Sequence, residues 1–323
     1  MRDVVAPSHR HVDYLRLSVT DRCNFRCVYC MPEQGVPFKP HEQILSYEDM
    51  VFFVGAVSGL GIGKVRLTGG EPLVRKNLPY LVRRVAALPG IEDVSLTTNG
   101  TLLPRFAAEL ADAGLSRVNL SLDSLDPERY QRLTRGGRLE QALAGIEAAF
   151  EHGLTPVKVN AVMLPELMQE LDAFVELTRE RPLHVRFIEW MEVGGCGPRE
   201  EGERLSRTEL LAALSERGAL VPVASPGGFG PARYFRLEGH AGTLGVISSV
   251  SDHFCGDCNR LRLTADARLK SCLFSDEETD VSAAIRARDR EGLLALVNRV
   301  LASKTYSRPR AGAAGRGMSQ IGG

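Results

Sequence analysis

The chain lacks several features that would place it in familiar classes of protein. In its 323 residues no apolar run approaches the ~18 residues that a membrane-spanning helix needs, and the polar N-terminus has no signal-peptide core. Lys+Arg and Asp+Glu balance at 40 each, so the basic surplus typical of nucleic-acid-binding proteins is missing. We therefore expect a soluble, cytoplasmic protein with no membrane and no nucleic-acid partner.

Cysteine is also scarce, and its distribution is uneven. Seven cysteines are an odd number, which does not fit the paired disulfide framework of a secreted domain. Six of them form two triplets, and Cys196 stands alone in a glycine-rich loop with no expected role. This pattern indicates a reducing compartment and two sites at which thiols act together.

The first triplet has the spacing C-x3-C-x2-C at Cys23, Cys27 and Cys30. Three thiolates so close together can hold an iron–sulfur cluster but leave one iron of a cubane open, where a small molecule could bind beside Tyr29. A structural zinc site would be closed by four ligands, and a redox pair would not need the third cysteine. A Gly-Gly-Glu-Pro turn that begins at Gly69 follows closely and favours the cluster interpretation.

Strand-like and helix-like segments alternate along the first part of the chain. Strands are predicted over 12–18, 65–68, 94–98, 118–122, 157–163 and 185–188. Helical periodicity is found over 47–57, 78–87, 104–113, 139–152 and 167–178. This alternation predicts parallel βαβ units, arranged either as a (β/α) barrel or as a doubly wound sheet. The first triplet and the Gly-Gly-Glu-Pro turn follow the first two strands, which is the functional side of such folds.

One face of the predicted strands is repeatedly polar and includes Arg16, Arg66 and Lys158. Helices would cover the apolar face, so these cations would point into the lumen, where a charge is costly unless it is paired or meets a ligand. They could pair with carboxylates of the lumen, for which the candidates are Glu71, Asp123 and Glu189. As a set, the cations favour an anionic ligand instead.

The second triplet, Cys255, Cys258 and Cys272, has the spacing C-x2-C-x13-C. It again supplies three ligands, so an iron–sulfur cluster and a zinc site completed by His253 are both open. Between the cysteines, strand-like alternation projects Arg260 and Arg262 to one side.

A glycine-rich stretch over 225–231 separates two parts of the chain. We predict a first domain over 1–232 and a smaller C-terminal domain over 233–323. The C-terminal tail is basic and rich in glycine, and it ends in Gly322 and Gly323. A tail without core-forming periodicity is by default a disordered end.

Five further motifs accompany the triplets: Thr-Thr-Asn-Gly at 97–100, Ser-Leu-Asp-Ser at 121–124, Arg-Phe-Ile-Glu-Trp-Met at 186–191, Cys-Asn-Arg-Leu-Arg-Leu-Thr at 258–264 and the terminal Gly-Gly. With them the chain resembles, nearly end to end, the molybdenum cofactor biosynthesis protein A family, the GTP 3′,8-cyclases of the radical S-adenosylmethionine (SAM) superfamily. The resemblance implies an α/β fold, an incomplete (β/α) TIM-type barrel with a smaller C-terminal α+β iron–sulfur domain.

The resemblance also implies roles for individual residues. Two [4Fe–4S] clusters would be held by Cys23, Cys27 and Cys30 and by Cys255, Cys258 and Cys272. SAM would be bound by Tyr29, Gly70, Ser121 and Met191. GTP would be bound by Arg16, Arg66, Thr97, Lys158, Arg260, Leu261 and Arg262. The catalytic set would be Arg260, Arg262, Gly322 and Gly323, with the tail inserted toward the active site.

The reaction implied by the resemblance begins with a 5′-deoxyadenosyl radical, which abstracts the 3′-hydrogen of GTP. C3′ then attacks guanine C8, giving 3′,8-cyclo-7,8-dihydro-GTP in the first step of molybdenum cofactor biosynthesis. Implied partners are a reductant such as flavodoxin or ferredoxin and a downstream cyclic pyranopterin monophosphate synthase. The sequence leaves the oligomeric state open, a homodimer included. Alternatives are a radical SAM peptide modifier with an auxiliary cluster and a non-catalytic zinc-binding module.

Overall fold

The computed structural model describes residues 12–194, 196, 204–227, 230–305, 307 and 316–322. Its first half contains strands β1 (Tyr14–Ser18), β2 (Lys64–Thr68), β3 (Asp93–Thr98), β4 (Arg117–Ser121), β5 (Lys158–Val162) and β6 (His184–Ile188). The helices between them are α1 (Tyr47–Ser58), α2 (Leu78–Ala86), α3 (Leu103–Asp112), α4 (Pro127–Thr134), α5 (Leu139–Glu151) and α6 (Leu171–Glu176). The six predicted strands are confirmed, each within about two residues of its predicted ends.

The second half is built from shorter elements. They are α7 (Arg207–Ser215), β7 (Leu220–Val223), β8 (Arg233–Leu237), β9 (Thr243–Ile247), β10 (Arg260–Leu263), β11 (Arg268–Lys270), β12 (Thr279–Asp280), α8 (Ser282–Arg286), α9 (Arg290–Ala302) and α10 (Met318–Ile321). No helix in the described ranges combines the length and the apolar character that crossing a membrane requires.

All strands of the described residues belong to one twelve-stranded sheet with the order β12-β11-β10-β1-β2-β3-β4-β5-β6-β9-β8-β7. Strands β1 to β6 lie side by side in chain order and run parallel. Strand β10 adds to β1 and strand β9 to β6, both in parallel. Among the described strands β12 and β7 form the two edges, so the sheet does not close, and the prediction of an incomplete barrel is confirmed.

The division into 1–232 and 233–323 stays a prediction. Strands β9 and β10 come from the C-terminal part, yet they continue the parallel sheet of the first part on both sides. The C-terminal part therefore supplies two walls of the same half-barrel.

Strand parity separates the core from the lumen. Leu15 and Leu17 of β1 are fully buried in the apolar core, whereas Tyr14 and Arg16 line a cavity on the other face of the sheet. Helix α1 begins with a capping box in which Ser46 accepts from the Asp49 amide and the Asp49 carboxylate accepts from the Ser46 amide. Helices packed in this way cover the outer face and leave the polar face for a ligand.

The helix predicted over 167–178 is shorter in the structure, because a 3₁₀ turn over Pro165–Glu170 precedes α6. The Glu170 carboxylate accepts hydrogen bonds from the Ser124 hydroxyl (2.8 Å) and the Leu125 amide (2.5 Å), and it pairs with Arg129 (2.6 Å). These groups follow β4 and have no partner in the sheet. Buried hydroxyl and amide groups need hydrogen-bond partners, and Glu170 supplies them here from a 3₁₀ turn instead of an α-helix. The prediction of an α-helix is therefore wrong for 167–170.

Candidate active site

The loop that carries the first triplet is tied to the Gly-Gly-Glu-Pro turn by main-chain hydrogen bonds. The Gly70 amide donates to the Thr20 carbonyl (2.9 Å), and the Glu71 amide donates to the Arg22 carbonyl (2.9 Å). A Cβ atom on Gly70 would overlap the Arg22 carbonyl oxygen, so this close approach needs glycine. The two motifs therefore form one unit at the carboxyl ends of β1 and β2.

A cavity, here called the first cavity, opens beside this unit. All three cysteines of the first triplet line it. The residues predicted to bind SAM line it as well: Tyr29, Gly70, Ser121 and Met191. The structure thus brings together residues that the sequence spreads over 23–191.

The first cavity also has acidic walls, formed by Glu71, Asp123 and Glu189. Burial raises the pKa of Glu71 to about 7, although its carboxylate accepts from the Asn99 amide (2.7 Å). Burial also raises the pKa of Asp123, which accepts a hydrogen bond from the Tyr29 hydroxyl (2.6 Å). These groups make the first cavity a place for a ligand that carries positive charge.

The thiols of the first triplet resist ionisation in the absence of a ligand. Burial raises the pKa of Cys23 to about 11 and that of Cys30 to about 12. Burial raises the pKa of Cys27 well above its ordinary value, and the neighbouring Cys30, Asp123 and Cys23 add to the rise. Three thiols in such surroundings need a cationic centre to be stable as thiolates.

A second cavity is lined by the second triplet, Cys255, Cys258 and Cys272, and by His253. Five arginines line it: Arg16, Arg66, Arg186, Arg260 and Arg262. They come from β1, β2, β6 and β10, whose parallel pairing turns these side chains to the same face. The cations predicted from strand parity therefore meet, apart from Lys158.

The arginines of the second cavity are held without carboxylates. Within the described residues no carboxylate lies at ion-pair distance from Arg16, Arg66 or Arg262, and the Arg16 Nε is buried with no hydrogen-bond partner. Burial lowers the pKa of Arg16 and of Arg262, that of Arg262 to about 10, and neighbouring arginines lower both further. Glu71 and Asp123 accept from neutral donors instead. The described structure therefore does not support the alternative in which these arginines pair with carboxylates of the lumen. A strong anion fits the second cavity instead.

Arg186 is a cavity residue that the sequence-based binding set omits. Its Nε donates to the Asn160 side chain (2.8 Å) and its terminal nitrogen donates to the Asn119 side chain (2.6 Å). These neutral amides fix the guanidinium without neutralising it. The polar strand parity contained this signal, because Asn119, Asn160 and Arg186 all lie on the lumen face.

Two cationic side chains, Lys304 and Arg260, act on Cys258 of the second triplet. Lys304 Nζ donates to the Arg260 carbonyl (3.0 Å) and to the Ser271 carbonyl (2.6 Å), and it lies 3.5 Å from Cys258 Sγ. Burial pushes the pKa of Cys258 upward, but Lys304 and Arg260 outweigh it, so the pKa falls below its ordinary value. Cys258 therefore ionises more readily than an ordinary cysteine.

The two cavities share a wall. Residues that line both are Arg16, Asn160, Ile188, Met191 and Leu273. The two cavities therefore adjoin at these residues.

Three residues predicted to bind GTP lie elsewhere than the second cavity. Thr97 lines the first cavity, where its hydroxyl is buried without a partner. The Lys158 amine donates to the Gly227 carbonyl and lines neither cavity. Leu261 alternates with Arg260 and Arg262, so its side chain is fully buried in the apolar core. Their binding roles stay predictions.

The C-terminal tail lies between the cavities. Met318 and Ser319 line the first cavity, and the Gly322 carbonyl accepts from a terminal nitrogen of Arg262 (3.1 Å). Gly322 has φ +73°, and a Cβ there would lie 2.5 Å from Thr68 Oγ1. The default expectation of a disordered end is wrong for 316–322, whereas Gly323 lies outside the described residues.

Comparison with known proteins identifies the family. A sequence model of the Radical SAM superfamily matches residues 17–178, and one described as Molybdenum Cofactor Synthesis C matches residues 183–308. A GTP 3′,8-cyclase of Pelotomaculum thermopropionicum is 49% identical over 320 residues, which is 97% of this chain and 98% of that protein. The chain belongs to the GTP 3′,8-cyclase family of radical SAM proteins. A second GTP 3′,8-cyclase, from Heliobacterium modesticaldum, is 47% identical over 97% of this chain and 98% of its own length.

Solved structures share the fold of this family member at low sequence identity. Streptococcus suis SuiB superposes with a TM-score of 0.63 and 14% identity, covering 88% of this chain and 65% of SuiB. A methylornithine synthase, PylB, gives a TM-score of 0.50 and 18% identity over 63% of this chain and 62% of PylB. At such identities the likeness concerns the fold alone.

Proposed function

We propose that this protein is a GTP 3′,8-cyclase that converts GTP into 3′,8-cyclo-7,8-dihydro-GTP in molybdenum cofactor biosynthesis. The observation that carries the proposal is the pair of adjoining cavities, each lined by a cysteine triplet and opposite in charge. Full-length similarity to curated GTP 3′,8-cyclases supports the assignment.

The residues of both cavities fit [4Fe–4S] clusters and SAM. Each triplet supplies three thiols to one cavity, which leaves one iron of a cubane for a small ligand. When bound, the cluster of the first cavity supplies the electron for reductive cleavage of SAM. A single zinc ion closed by four protein ligands would leave the acidic wall of the first cavity and the arginines of the second without a role.

In the first cavity we assign the SAM-binding role to Tyr29, Gly70, Ser121 and Met191. SAM carries an ammonium and a sulfonium group, and Glu71 and Asp123 provide the opposite charge. Tyr29 is held in place by its hydrogen bond to Asp123. Gly70, having no side chain, lets its turn approach the main chain of Arg22 beside the first cysteine.

In the second cavity Arg16, Arg66, Arg260 and Arg262 would bind the triphosphate and orient the nucleoside. Guanidinium groups present paired donors in a plane that matches phosphate oxygens. No carboxylate of the described residues pairs with these cations, so a bound triphosphate would offset part of the cost of burying them. The shared wall then brings the ribose of GTP toward the reacting end of SAM.

Three further assignments complete the proposal. The electron donor is a reductant such as flavodoxin or ferredoxin, and the product passes to cyclic pyranopterin monophosphate synthase. A cytoplasmic location is part of the proposal, because all seven cysteines are free in the described chain, as is usual in a reducing compartment. A homodimer stays one option for the assembly.

The test is an anaerobic assay of the reduced holoenzyme with SAM and GTP. We expect 5′-deoxyadenosine and the cyclised nucleotide in equal amounts, measured by mass spectrometry. Omission of GTP should suppress the cyclised nucleotide completely. If 5′-deoxyadenosine forms while GTP is recovered unchanged, the proposed function is wrong.

A further inference from the structure

Arg316, at the start of the described tail, is held by two carboxylates at once. One terminal nitrogen lies 2.6 Å from Asp266 Oδ1, and the other lies 3.1 Å from Glu278 Oε2. The side chains of Arg316, Asp266 and Glu278 are 22%, 10% and 17% exposed. Arg316 thus forms ion pairs with two largely buried carboxylates. Such an arrangement differs from a single exposed ion pair, which contributes little to stability.

The two carboxylates are themselves fixed to the strands of the second cavity. Asp266 lies in the turn between β10 and β11, where it accepts from the Thr264 hydroxyl (2.7 Å). Glu278 accepts from Lys270 (3.2 Å), and Lys270 of β11 lies directly opposite Arg262 of β10. The ion pairs of Arg316 are therefore built on the same hairpin that carries the cavity arginines.

Asp266 remains ionised for this contact. Burial pushes its pKa upward, but hydrogen bonds from Arg316 and Thr264 outweigh it, so the pKa lies below the ordinary value. Lys39, at 3.7 Å, adds a further positive charge.

From Arg316 the tail leads within a few residues to both cavities. Gly317 packs against Gly194 so closely that a Cβ on Gly194 would lie 3.1 Å from the Gly317 nitrogen. Ser319 is 2% exposed, and Gly322 reaches Arg262. Because α10 is one short turn, the position of Arg316 determines where these residues can lie.

We propose that Arg316, Asp266 and Glu278 form a clasp that positions the C-terminal tail between the two cavities. Arg316 is a positioning residue, since it acts through Gly322 and touches neither cavity wall. The importance of the clasp for the reaction rests on the proposed function. Its existence can be tested without the reaction.

The direct test is hydrogen–deuterium exchange of the tail in the full-length holoprotein, read by mass spectrometry of a C-terminal peptide. In Arg316→Ala we expect the amides of 318–322 to exchange roughly tenfold faster or more, because losing a charged contact releases the local structure. Arg299→Ala is the matched control, since Arg299 is an exposed arginine of α9. Exchange at the parent rate in Arg316→Ala, or an equal increase in the control, would overturn the clasp.

Asp266→Asn and Glu278→Gln test the same contact from the other side with nearly unchanged shape. Each should accelerate tail exchange, and combining Asp266→Asn with Arg316→Ala should add little beyond the single change. Fully additive effects would contradict a shared contact. Arg316→Lys should restore part of the protection, because one amine can reach only one carboxylate at a time.

Kinetics then connect the clasp to the reaction. In Arg316→Ala we expect cyclised product per 5′-deoxyadenosine to fall about tenfold, with the Kd for SAM unchanged. An unchanged ratio together with faster tail exchange would overturn the positioning role. If the parent makes no cyclised product at all, the proposed function fails, while the exchange result still decides whether the clasp exists.

Discussion

The two cysteine triplets differ more in their surroundings than in their ligands. Around the first triplet, burial and the nearby Asp123 raise the thiol pKa values, that of Cys30 to about 12. Around the second, Lys304 and Arg260 bring the pKa of Cys258 below its ordinary value. Cys258 of the second triplet therefore has surroundings that favour its thiolate, whereas the surroundings of the first triplet oppose ionisation.

The difference shows how one chain can bind two small molecules without exchanging them. SAM carries positive charge at its reacting end, and GTP is a polyanion. A carboxylate wall in the first cavity disfavours GTP, and the arginines of the second cavity disfavour SAM. In the proposed function the cysteines would fix where the clusters lie, and the neighbouring charges would decide which ligand each cavity receives.

The largest effect is expected when one cysteine triplet is removed at a time, which tests whether the two triplets hold separate clusters. Replacing Cys23, Cys27 and Cys30 by Ala should lower the iron from about eight to about four per chain and abolish SAM cleavage, because only one [4Fe–4S] site is left. Replacing Cys255, Cys258 and Cys272 should remove the same amount of iron but leave SAM binding intact. Iron analysis with an anaerobic SAM-binding assay checks both, and unchanged iron in either triple variant would refute two independent clusters.

The next largest effect is expected where the two regions meet, at the tail. Deleting Gly322 and Gly323 should leave iron content and SAM binding intact but lower cyclised product about a hundredfold, because a displaced active-site group costs that order in rate. Gly322→Ala should act in the same direction, since its Cβ would lie 2.9 Å from Ser18 Cβ and the backbone has φ +73°. Single-turnover product formation at saturating SAM and GTP is the measurement. Full activity of the shortened chain would show that the tail has no catalytic part.

Arg16→Ala tests the charge difference between the cavities by removing one cation from the wall that they share. Loss of a charged contact to phosphate should weaken GTP binding by about 1.5–3 kcal/mol, tenfold or more in Kd. Anaerobic calorimetry measures it, with SAM binding as the internal comparison and Arg105→Ala, an exposed arginine of α3, as the control. Parent-like GTP affinity in Arg16→Ala would mean that GTP does not contact this arginine.

Lys158 should give a smaller effect that depends on pH. Burial, followed by Arg186 and Arg117, lowers its pKa to about 7, and an adjacent phosphate would raise it again. Its contribution to GTP affinity is therefore full below pH 7 and is lost as the pH rises through the higher pKa of the complex. We expect Kd to increase between pH 7 and about 9 in the parent but to change less in Lys158→Ala. Identical pH profiles would leave the amine bound to Gly227 alone.

The smallest effect concerns reactivity of the metal-free protein. Because the thiolate is the reactive form, Cys258 should be alkylated by iodoacetamide several-fold faster than Cys23 or Cys30 near pH 7.5. Peptide mass spectrometry after a short exposure measures the order. Lys304→Met should slow alkylation of Cys258 without changing that of Cys23. Preferential labelling of the first triplet would contradict the difference in charge.

Local patterns predicted much of this molecule, whereas its long-range contacts could not be predicted. Alternation placed Arg16, Arg66 and Lys158 on one polar face because side-chain direction in a strand depends only on parity. Parity could not tell which cavity a lumen residue reaches: Thr97 lines the first cavity and Lys158 lines neither, so their GTP-binding roles stay predictions. It also could not show that Glu170 would leave its helix for the amides after β4.

Local sequence patterns likewise did not predict that the C-terminal tail has a defined structure. Nothing in a glycine-rich end indicates helix α10 or the ion pairs of Arg316 with Asp266 and Glu278, which lie far from it in the sequence. The family resemblance supplied the expectation of an inserted tail. The contacts that hold it there required the structure.

The parallel pairing of β1 with β10 has a consequence for how the protein is made. Tyr14 lies opposite Arg260, and the Asn259 side chain donates to Asp13 across 246 residues of chain. At the ordinary elongation rate of about 5–20 residues per second, β1 waits on the order of 10–50 s on the ribosome before its second neighbour exists. During that time its open edge, with the first three cysteines just beyond it, can pair with other chains. Translation speed and chaperone supply should therefore affect the yield of this protein more than its final stability does.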